Sequence, residues 1–470
     1  VNRIIPLVLA VALFMENMDS TVIATSLPAI AADIDTSPIA LKLALTAYLV
    51  ALAVFIPVSG WMADRFGAKT IFRLAILVFM AGSVACAVSN SLASFVFARL
   101  LQGVGGAMMT PVGRLVLVRA TPKNELVAAM AWLSIPALVG PLVGPPVGGF
   151  ITTYFSWHWI FLINVPIGFA GIWLATRYLP DTERLATPRL DVVGFLLVGI
   201  GASGLVFGLS VVSMPALPPI IGIATLISGL VAGALYFLHA HRTPNPLLAL
   251  DLFRNHTFRT AVLGGSLFRI GVGAVPFLLP LMLQIGFGLT PFQSGLITFV
   301  AAIGAIGMKF ATTRVFRMAG FRRVLVFGSL ISAISVAANG LFTPTTPYIV
   351  IMTILLAGGF LRSMFFTGIN ALTYADITTE DTSKATPIAA VVQQLSIAIG
   401  VAAAGGILEG ATTFHGGPLT LADFHIAFFI VAAISALASL SFVRLAPDAG
   451  SAVSGHGARS GKVIDTDTPP

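Results

Sequence analysis

The sequence predicts an all-α polytopic membrane protein of fourteen transmembrane helices: two pseudo-symmetric six-helix bundles with two further helices inserted between them. Three observations lead there. Of 470 residues, 57% are hydrophobic and only 9% charged, against roughly 25% charged in soluble domains, which excludes an ordinary soluble enzyme. Mean hydropathy is +0.98, with 46 Gly and 28 Pro, residues that membrane helices carry more often than soluble ones. Apolar runs of span length recur along the whole chain, and several short motifs return after 252 or 253 residues.

A span needs about 20 largely apolar residues to cross a hydrocarbon core of roughly 30 Å. The first run, 5–27, follows Arg3 and precedes a small-residue site at Ala29–Ala31, as a signal peptide would. Glu16 and Asp19 interrupt it and many spans follow, so it is expected to stay as a first helix. The next runs are 43–63, between Lys42 and Asp64, then 71–89, 92–113 ending at Arg114, the Gly/Pro-rich 128–151, and 159–178. Runs 192–213 and 218–238 are separated by prolines. The last six are 259–283, 292–313 behind Pro291, 324–342 behind Arg322 and Arg323, 347–370, 385–409 behind Lys384, and 424–444 ending at Arg444.

A net charge of +8 and a pI near 10 would ordinarily suggest a nucleic-acid partner, but the positions of the charges remove that reading. With a cytoplasmic N-terminus, 22 of the 26 Lys and Arg fall in inner segments, Lys42 alone falls in an outer one, and Arg99, Arg269 and Arg362 lie within spans. Such asymmetry predicts both termini inside. The single cysteine, Cys86, lies in an apolar run and allows no intrachain disulfide.

The duplication is read from matched positions. Leu27-Pro28 returns as Leu279-Pro280, Ser37-Pro38 as Thr290-Pro291, Gly67-Ala68-Lys69 as Gly320-Phe321-Arg322, and Gly105-Gly106 as Gly358-Gly359. The expected organisation is an N-terminal bundle over 1–186, the inserted pair and its loop over 187–257, a C-terminal bundle over 258–446 and a disordered tail over 447–470. Parallel halves of this kind form a substrate path at their interface near mid-membrane.

Between runs 2 and 3 stands Gly60-Trp61-Met62-Ala63-Asp64-Arg65-Phe66-Gly67-Ala68-Lys69. Gly67 permits a tight turn, Asp64 can face a helix N-terminus and Arg65 a carboxylate. Run 4 contains Arg99-Leu100-Leu101-Gln102-Gly103-Val104-Gly105-Gly106. Run 5 contains Gly140-Pro141, Gly144-Pro145-Pro146 and Gly148-Gly149; Gly140, Gly144 and Gly148 make one groove for a neighbouring backbone, and the prolines are expected to kink it. Next comes Ser156-Trp157-His158-Trp159-Ile160-Phe161-Leu162-Ile163-Asn164-Val165-Pro166-Ile167-Gly168.

Together these motifs resemble the major facilitator superfamily, in its fourteen-helix drug:proton antiporter branch. The resemblance covers nearly the whole chain and is weakest in the second half. It implies a conformational-switch loop at Gly60, Asp64, Arg65, Gly67 and Lys69, a proton-linked arginine at Arg99, and an antiporter motif at Gly140, Pro141, Gly144, Pro145, Gly148 and Gly149. The chain departs from the branch at His158, where an arginine usually stands between the tryptophans; an interfacial polar residue is the reading preferred over a pH sensor.

Ionisable residues inside spans are costly and by default functional. Glu16 and Asp19 share a helix face. Asp19 is ~12 Å from the outer end of its span and Arg99 ~10 Å from the outer end of its own, so the two can lie at one depth. Asp19, sharing with Glu16, is the expected proton carrier, Arg99 its modulator. Desolvation favours a protonated carboxyl and an approaching arginine an ionised one, so rocking could load and release a proton. In the repeat Arg269 stands opposite Asn17, near mid-depth; Arg362 is expected nearer the cytoplasmic side of its span. Gln102, Asn370 and Gln394 join both arginines as candidates to line the substrate cavity. Three arginines against two acids favour an anionic substrate or metal–anion chelate over a lipophilic cation.

No phosphate-binding Gly-x-x-x-x-Gly-Lys-Ser/Thr loop occurs, so no ATP and no other cofactor is expected, and neither a metal site nor a nucleophile–base arrangement stands out. The expectation is a monomeric, proton-coupled exporter of drug-like small molecules working by alternating access in the lipid bilayer. Export of organic anions is the alternative, and uptake by symport a more distant one.

Overall fold

The computed structural model describes residues 4–121, 126–181, 189–214, 217–378 and 381–450, and among them every regular element is helical. Fourteen long helices follow in order: α1 (Ile4–Thr25), α2 (Lys42–Phe66), α3 (Ala68–Ala87), α4 (Leu92–Ala120), α5 (Leu126–Tyr154), α6 (Trp159–Tyr178), α7 (Val192–Val212), α8 (Pro219–Arg242), α9 (His256–Gly286), α10 (Pro291–Met308), α11 (Arg314–Asn339), α12 (Tyr348–Tyr374), α13 (Lys384–His415) and α14 (Leu421–Val443). All but α5 are long and apolar enough over described residues to cross a membrane. At 29 residues, α5 is ~44 Å long and more than spans the same distance.

Local chemistry explains the ends. Capping boxes start α4 (Ser91 with Ser94), α10 (Thr290 with Gln293) and α14 (Thr420 with Asp423), each satisfying backbone N–H groups that lack an intrahelical partner. Asp191 caps α7 and Asn255 caps α9. Two expected loops are instead almost entirely helical. Residues 60–66 are the last turns of α2, and α10 runs on toward α11 through the basic segment. Helical backbone is interrupted at single glycines at matched positions of the repeat: Gly67, φ 91°, between α2 and α3, and Gly320, φ 71°, inside the range given for α11, a region closed to most side chains.

The repeat also shows in close packing. A Cβ on Gly105 would strike the backbone of Phe79 in α3, and one on Gly358 would strike Ser335 in α11; Gly106 faces Tyr48 of α2, and Gly359 faces Ala301 of α10. Each half thus packs its fourth helix against its second and third through the same glycine pair. The inserted helices α7 and α8 pair through Gly204, Gly208, Gly222 and Gly229, and α7 lies against α2 of one half and α13 of the other. Most apolar side chains of α8 are exposed, among them Leu235, Phe237 and Leu238, as a lipid-facing helix requires. Residues 447–450, expected as the start of a disordered tail, form a turn in which Gly450 lies against Phe321. The rest of that tail, from 451, lies outside the described residues.

Candidate functional site

The two ends of the bundle are called here the Lys42 end and the Gly67 end. Asp19 sits inside the first half, with no exposed surface, at the meeting of four helices. Its Oδ2 accepts a hydrogen bond from Arg99 Nη1 at 2.7 Å, and its Oδ1 accepts from Gln102 Nε2 and from Asn164 Nδ2, each at 2.8 Å. Ser83 Oγ on α3 accepts from the same two amides, at 2.8 and 3.2 Å. Arg99 Nη1 also reaches Gln102 Oε1 at 2.5 Å. The Tyr48 ring lies 4.4 Å from the guanidinium carbon, within cation–π range. Glycines admit this network, because a Cβ on Gly82 would strike the Gln102 backbone and one on Gly103 would meet Tyr48.

The network is not fully satisfied. Arg99 Nε, Asn164 Oδ1 and Tyr48 Oη are buried without a hydrogen-bond partner, so donors and acceptors remain for a rearranged state. Glu16 shares the face of Asp19 but goes elsewhere: it is half-buried, and its Oε2 accepts from Thr110 Oγ1 at 2.7 Å.

The structure brings Asp19 and Arg99 together as the spans' depths required, yet within the bundle of α1, α3, α4 and α6 and not across an open cavity. Gln102 accordingly joins the acid's shell and is fully buried, which removes it from the cavity lining. Sequence reasoning missed Ser83, Tyr48 and Asn164 as members. Asn164 had a signal, since it lies in the segment that follows the paired tryptophans; Ser83 and Tyr48 had none.

The cavity candidates of the second half form a stripe. Arg362, Phe366 and Asn370 stand one turn apart on α12, and Arg269 of α9 lies 5.9 Å from the Phe366 ring, its Nη2 3.5 Å from Asn370 Oδ1. Arg269 is 5% exposed, its Nε has no partner, and among the described residues neither it nor Arg362 forms an ion pair. Asn370 is exposed and Gln394, on α13, half-buried. Phe268 stacks on Phe365, and Gly265 lies against Ile369. Arg362 therefore lies near the middle of α12, within about one turn of the level of Arg269.

The expected switch segment is a helix end. Asp64 Oδ1 accepts from Arg119 Nη2 of α4 at 2.6 Å, and Lys69 pairs with the exposed Asp181 at 3.2 Å. Arg65 is exposed and meets no carboxylate among the described residues, so its expected partner is absent there. Around Gly60 a Cβ would find open space. In α5, Gly140 meets Asn17, Gly144 meets Thr21 and Gly148 meets Val22, so the groove holds α1. Helical structure continues through Pro141 and Pro145. Gly149 faces the backbone of Pro291, and Gly295 that of Pro145, so α5 and α10 close on each other at the Lys42 end.

A second buried ion pair, not anticipated, ties the halves together at that same end. Lys42 Nζ of α2 meets Glu409 Oε2 of α13 at 2.5 Å, and Ser213, just past α7, bonds both: it accepts from Lys42 at 3.0 Å and donates to Glu409 at 2.5 Å. Gly405 makes room for the lysine chain. Gln284 Nε2 donates to the Thr25 carbonyl at 2.9 Å, and the Phe292 N–H to Thr153 Oγ1 at 3.1 Å. Among the described residues, no group of His, Cys, Asp and Glu is placed to hold a metal ion.

Two six-helix halves around polar groups buried at membrane depth define a membrane transporter, not an enzyme. The chain belongs to the major facilitator superfamily, whose family description it matches over residues 9–401. It is 37% identical over 444 residues to "Putative multidrug resistance protein MdtD" of Pectobacterium atrosepticum, covering 94% of this chain and 95% of that one. The protein of the same name from Yersinia enterocolitica is 36% identical over 446 residues, with the same coverage. Among solved structures it is similar to a peptide transporter crystallised with sulfate (TM-score 0.71, 14% identity, 95% of each chain). A D-xylose–proton symporter gives TM-score 0.69 at 15% identity, covering 95% of this chain and 98% of that one.

Proposed function

We propose that this protein is a proton-coupled exporter of drug-like small molecules that works by alternating access, seated in a bacterial inner membrane with both termini cytoplasmic. The Asp19–Arg99 pair, buried with Gln102 and Asn164, carries the reading. A carboxylate so enclosed is stable only while its charge is matched. A proton taken by Asp19 removes the charge that holds Arg99 and both amides, and leaves α1 free to shift against α4 and α6. Loss of the proton restores the pair. Names of the relatives, the glycine groove between α5 and α1, and the basic residues gathered at the Gly67 end support export and this orientation. The contacts of α5 with α10, and of Lys42 with Glu409, then close the outer side.

Reconstituted vesicles with an imposed pH gradient test this. Wild-type protein should move a cationic dye against the gradient, and Asp19→Asn should abolish the movement while remaining folded. Unchanged coupling in Asp19→Asn would refute the assignment.

One observation favours a second reading of the cargo. Arg99 is neutralised by Asp19, but Arg269 is buried with the Phe366 ring and the Asn370 carbonyl beside it and no acid among the described residues, and an uncompensated buried cation favours an anionic group brought by substrate. On this reading organic anions or their metal chelates are exported, and Arg269→Glu should lose a citrate-like anion while retaining any dye transport. Export of the anion unchanged in Arg269→Glu would remove this reading alone.

A further inference from the structure

Outside the sites above, the inserted pair meets the second half at the Gly67 end around a cavity of about 650 Å³. Phe237 and His241 from the last turns of α8 form one wall, Arg254 in the connector and Arg259 in the first turn of α9 form another, and Lys384 at the start of α13 closes it. We propose that this cavity binds the phosphate headgroup of an anionic glycerophospholipid, and that the bound lipid bridges the inserted pair to the second half.

Charge is the first reason. Arg254, Arg259 and Lys384 face a single lining carboxylate among the described residues, Asp251. Lys384 is engaged by Asp381 at 3.0 Å, whereas Arg254 and Arg259 are exposed and form no ion pair among the described residues. Two guanidinium groups beside one cavity suit a phosphate diester, whose oxygens accept bidentate bonds.

Shape is the second. The connector is already built: Asp191 accepts from the Leu247 N–H at 3.1 Å and pairs with His239 at 2.7 Å, while the Tyr236 hydroxyl accepts from the Leu248 N–H and donates to the Leu248 carbonyl. These bonds within the protein order the connector, which lowers the ordering entropy lost on binding.

Apolar continuity is the third, and it selects a lipid over a soluble phosphate. Phe237 lines the cavity and shares one face of α8 with Leu230 and Ile223, two and four turns back along the helix, all three exposed. A headgroup in the cavity therefore has a track for its acyl chains along the same helix, at the boundary where basic pockets between helices hold anionic headgroups.

Native mass spectrometry of the purified full chain, titrated separately with phosphatidylglycerol, phosphatidylethanolamine and inorganic phosphate, tests the proposal. Phosphatidylglycerol should bind tightest, and inorganic phosphate should not displace it. Arg254→Ala/Arg259→Ala should weaken that binding roughly thirtyfold, about a factor of five per arginine. Arg254→Lys/Arg259→Lys, which keeps the charge but not the bidentate fork, should fall between wild type and the double alanine variant, and Arg444→Ala, a basic residue outside the cavity, should keep all of it. Equal binding of both lipids, a double alanine variant that binds like wild type, or displacement by inorganic phosphate would overturn the proposal, the last in favour of a soluble anion. None of these outcomes depends on proton coupling.

Discussion

The Lys42–Glu409 pair offers the sharpest energetic test, because both side chains are removed from water, at 0% and 6% exposed, and join separate halves. Replacing Lys42 by Met keeps the length of the chain but strands the Glu409 carboxylate with only Ser213 for company. Breaking a buried pair by deleting one partner costs about 3–5 kcal/mol. Glu409→Leu strands the ammonium and should cost a similar amount. Combining the two removes both charges together, and buried pairs replaced by apolar residues are often neutral or more stable by about 1–4 kcal/mol. The double variant should therefore be more stable than either single one, with a coupling energy of about 3 kcal/mol or more across the cycle. Unfolding of the purified protein, followed by the intrinsic fluorescence of its five tryptophans, reads this as lowered midpoints for the single variants and recovery in the double. Because the pair is buried, the differences should persist at high salt, where surface pairs fade. Single variants as stable as wild type, or a double variant no better than the worse single, would refute the reasoning.

Three further outcomes are expected. Gly144→Val places atoms on Thr21 and should destabilise by about 1–3 kcal/mol through overpacking, whereas Gly60→Ala, which meets open space at an exposed position of α2, should stabilise by up to about 1 kcal/mol; thermal unfolding of both compares them directly. Arg119→Ala removes the partly exposed pair with Asp64 and should change stability by no more than about 1 kcal/mol, so a larger transport defect in vesicles would assign that pair to conformational switching. Burial at Asp191 opposes its charge, but hydrogen bonds from the Gly194 and Leu247 N–H groups and from His239 outweigh it and hold the carboxyl below its ordinary value of 3.8. A depressed carboxylate stabilises the folded connector above the unfolded value and loses that contribution as pH falls below about 4. Pepsin cleavage within 239–258 should rise steeply below that pH in wild type, and much less steeply in Asp191→Asn.

Legibility in the sequence followed the length scale of the physics. Span number and helix class were readable because burial in lipid imposes about 20 apolar residues per crossing, and the repeat was readable because Gly67 and Gly320 answer the same backbone demand. The groove of Gly140, Gly144 and Gly148 was legible from spacing, although its occupant, α1, was not. The depths of Asp19 and Arg99 followed from helical rise. Whether each side chain turns toward the cavity or into its own bundle depends on rotation of a helix against its neighbours, and apolar periodicity carries little of that in a helix surrounded by apolar material on every side. For that reason Gln102 was placed in the cavity, and Ser83 and Tyr48 nowhere.

The sequence by itself determined the class, the number and alternation of spans, the duplication, and which few charges stand inside the membrane, since each of these is a local or periodic property of the chain. Only the tertiary structure decided which of those charges meet. Asp19 finds Arg99 and Asn164, Arg269 finds no acid among the described residues, and Lys42, legible only as a lone basic residue between spans, reaches Glu409, 367 positions away. Pairing energies act over a few ångströms and are indifferent to separation along the chain, so the contacts most able to tie the two halves are those that composition and periodicity cannot announce.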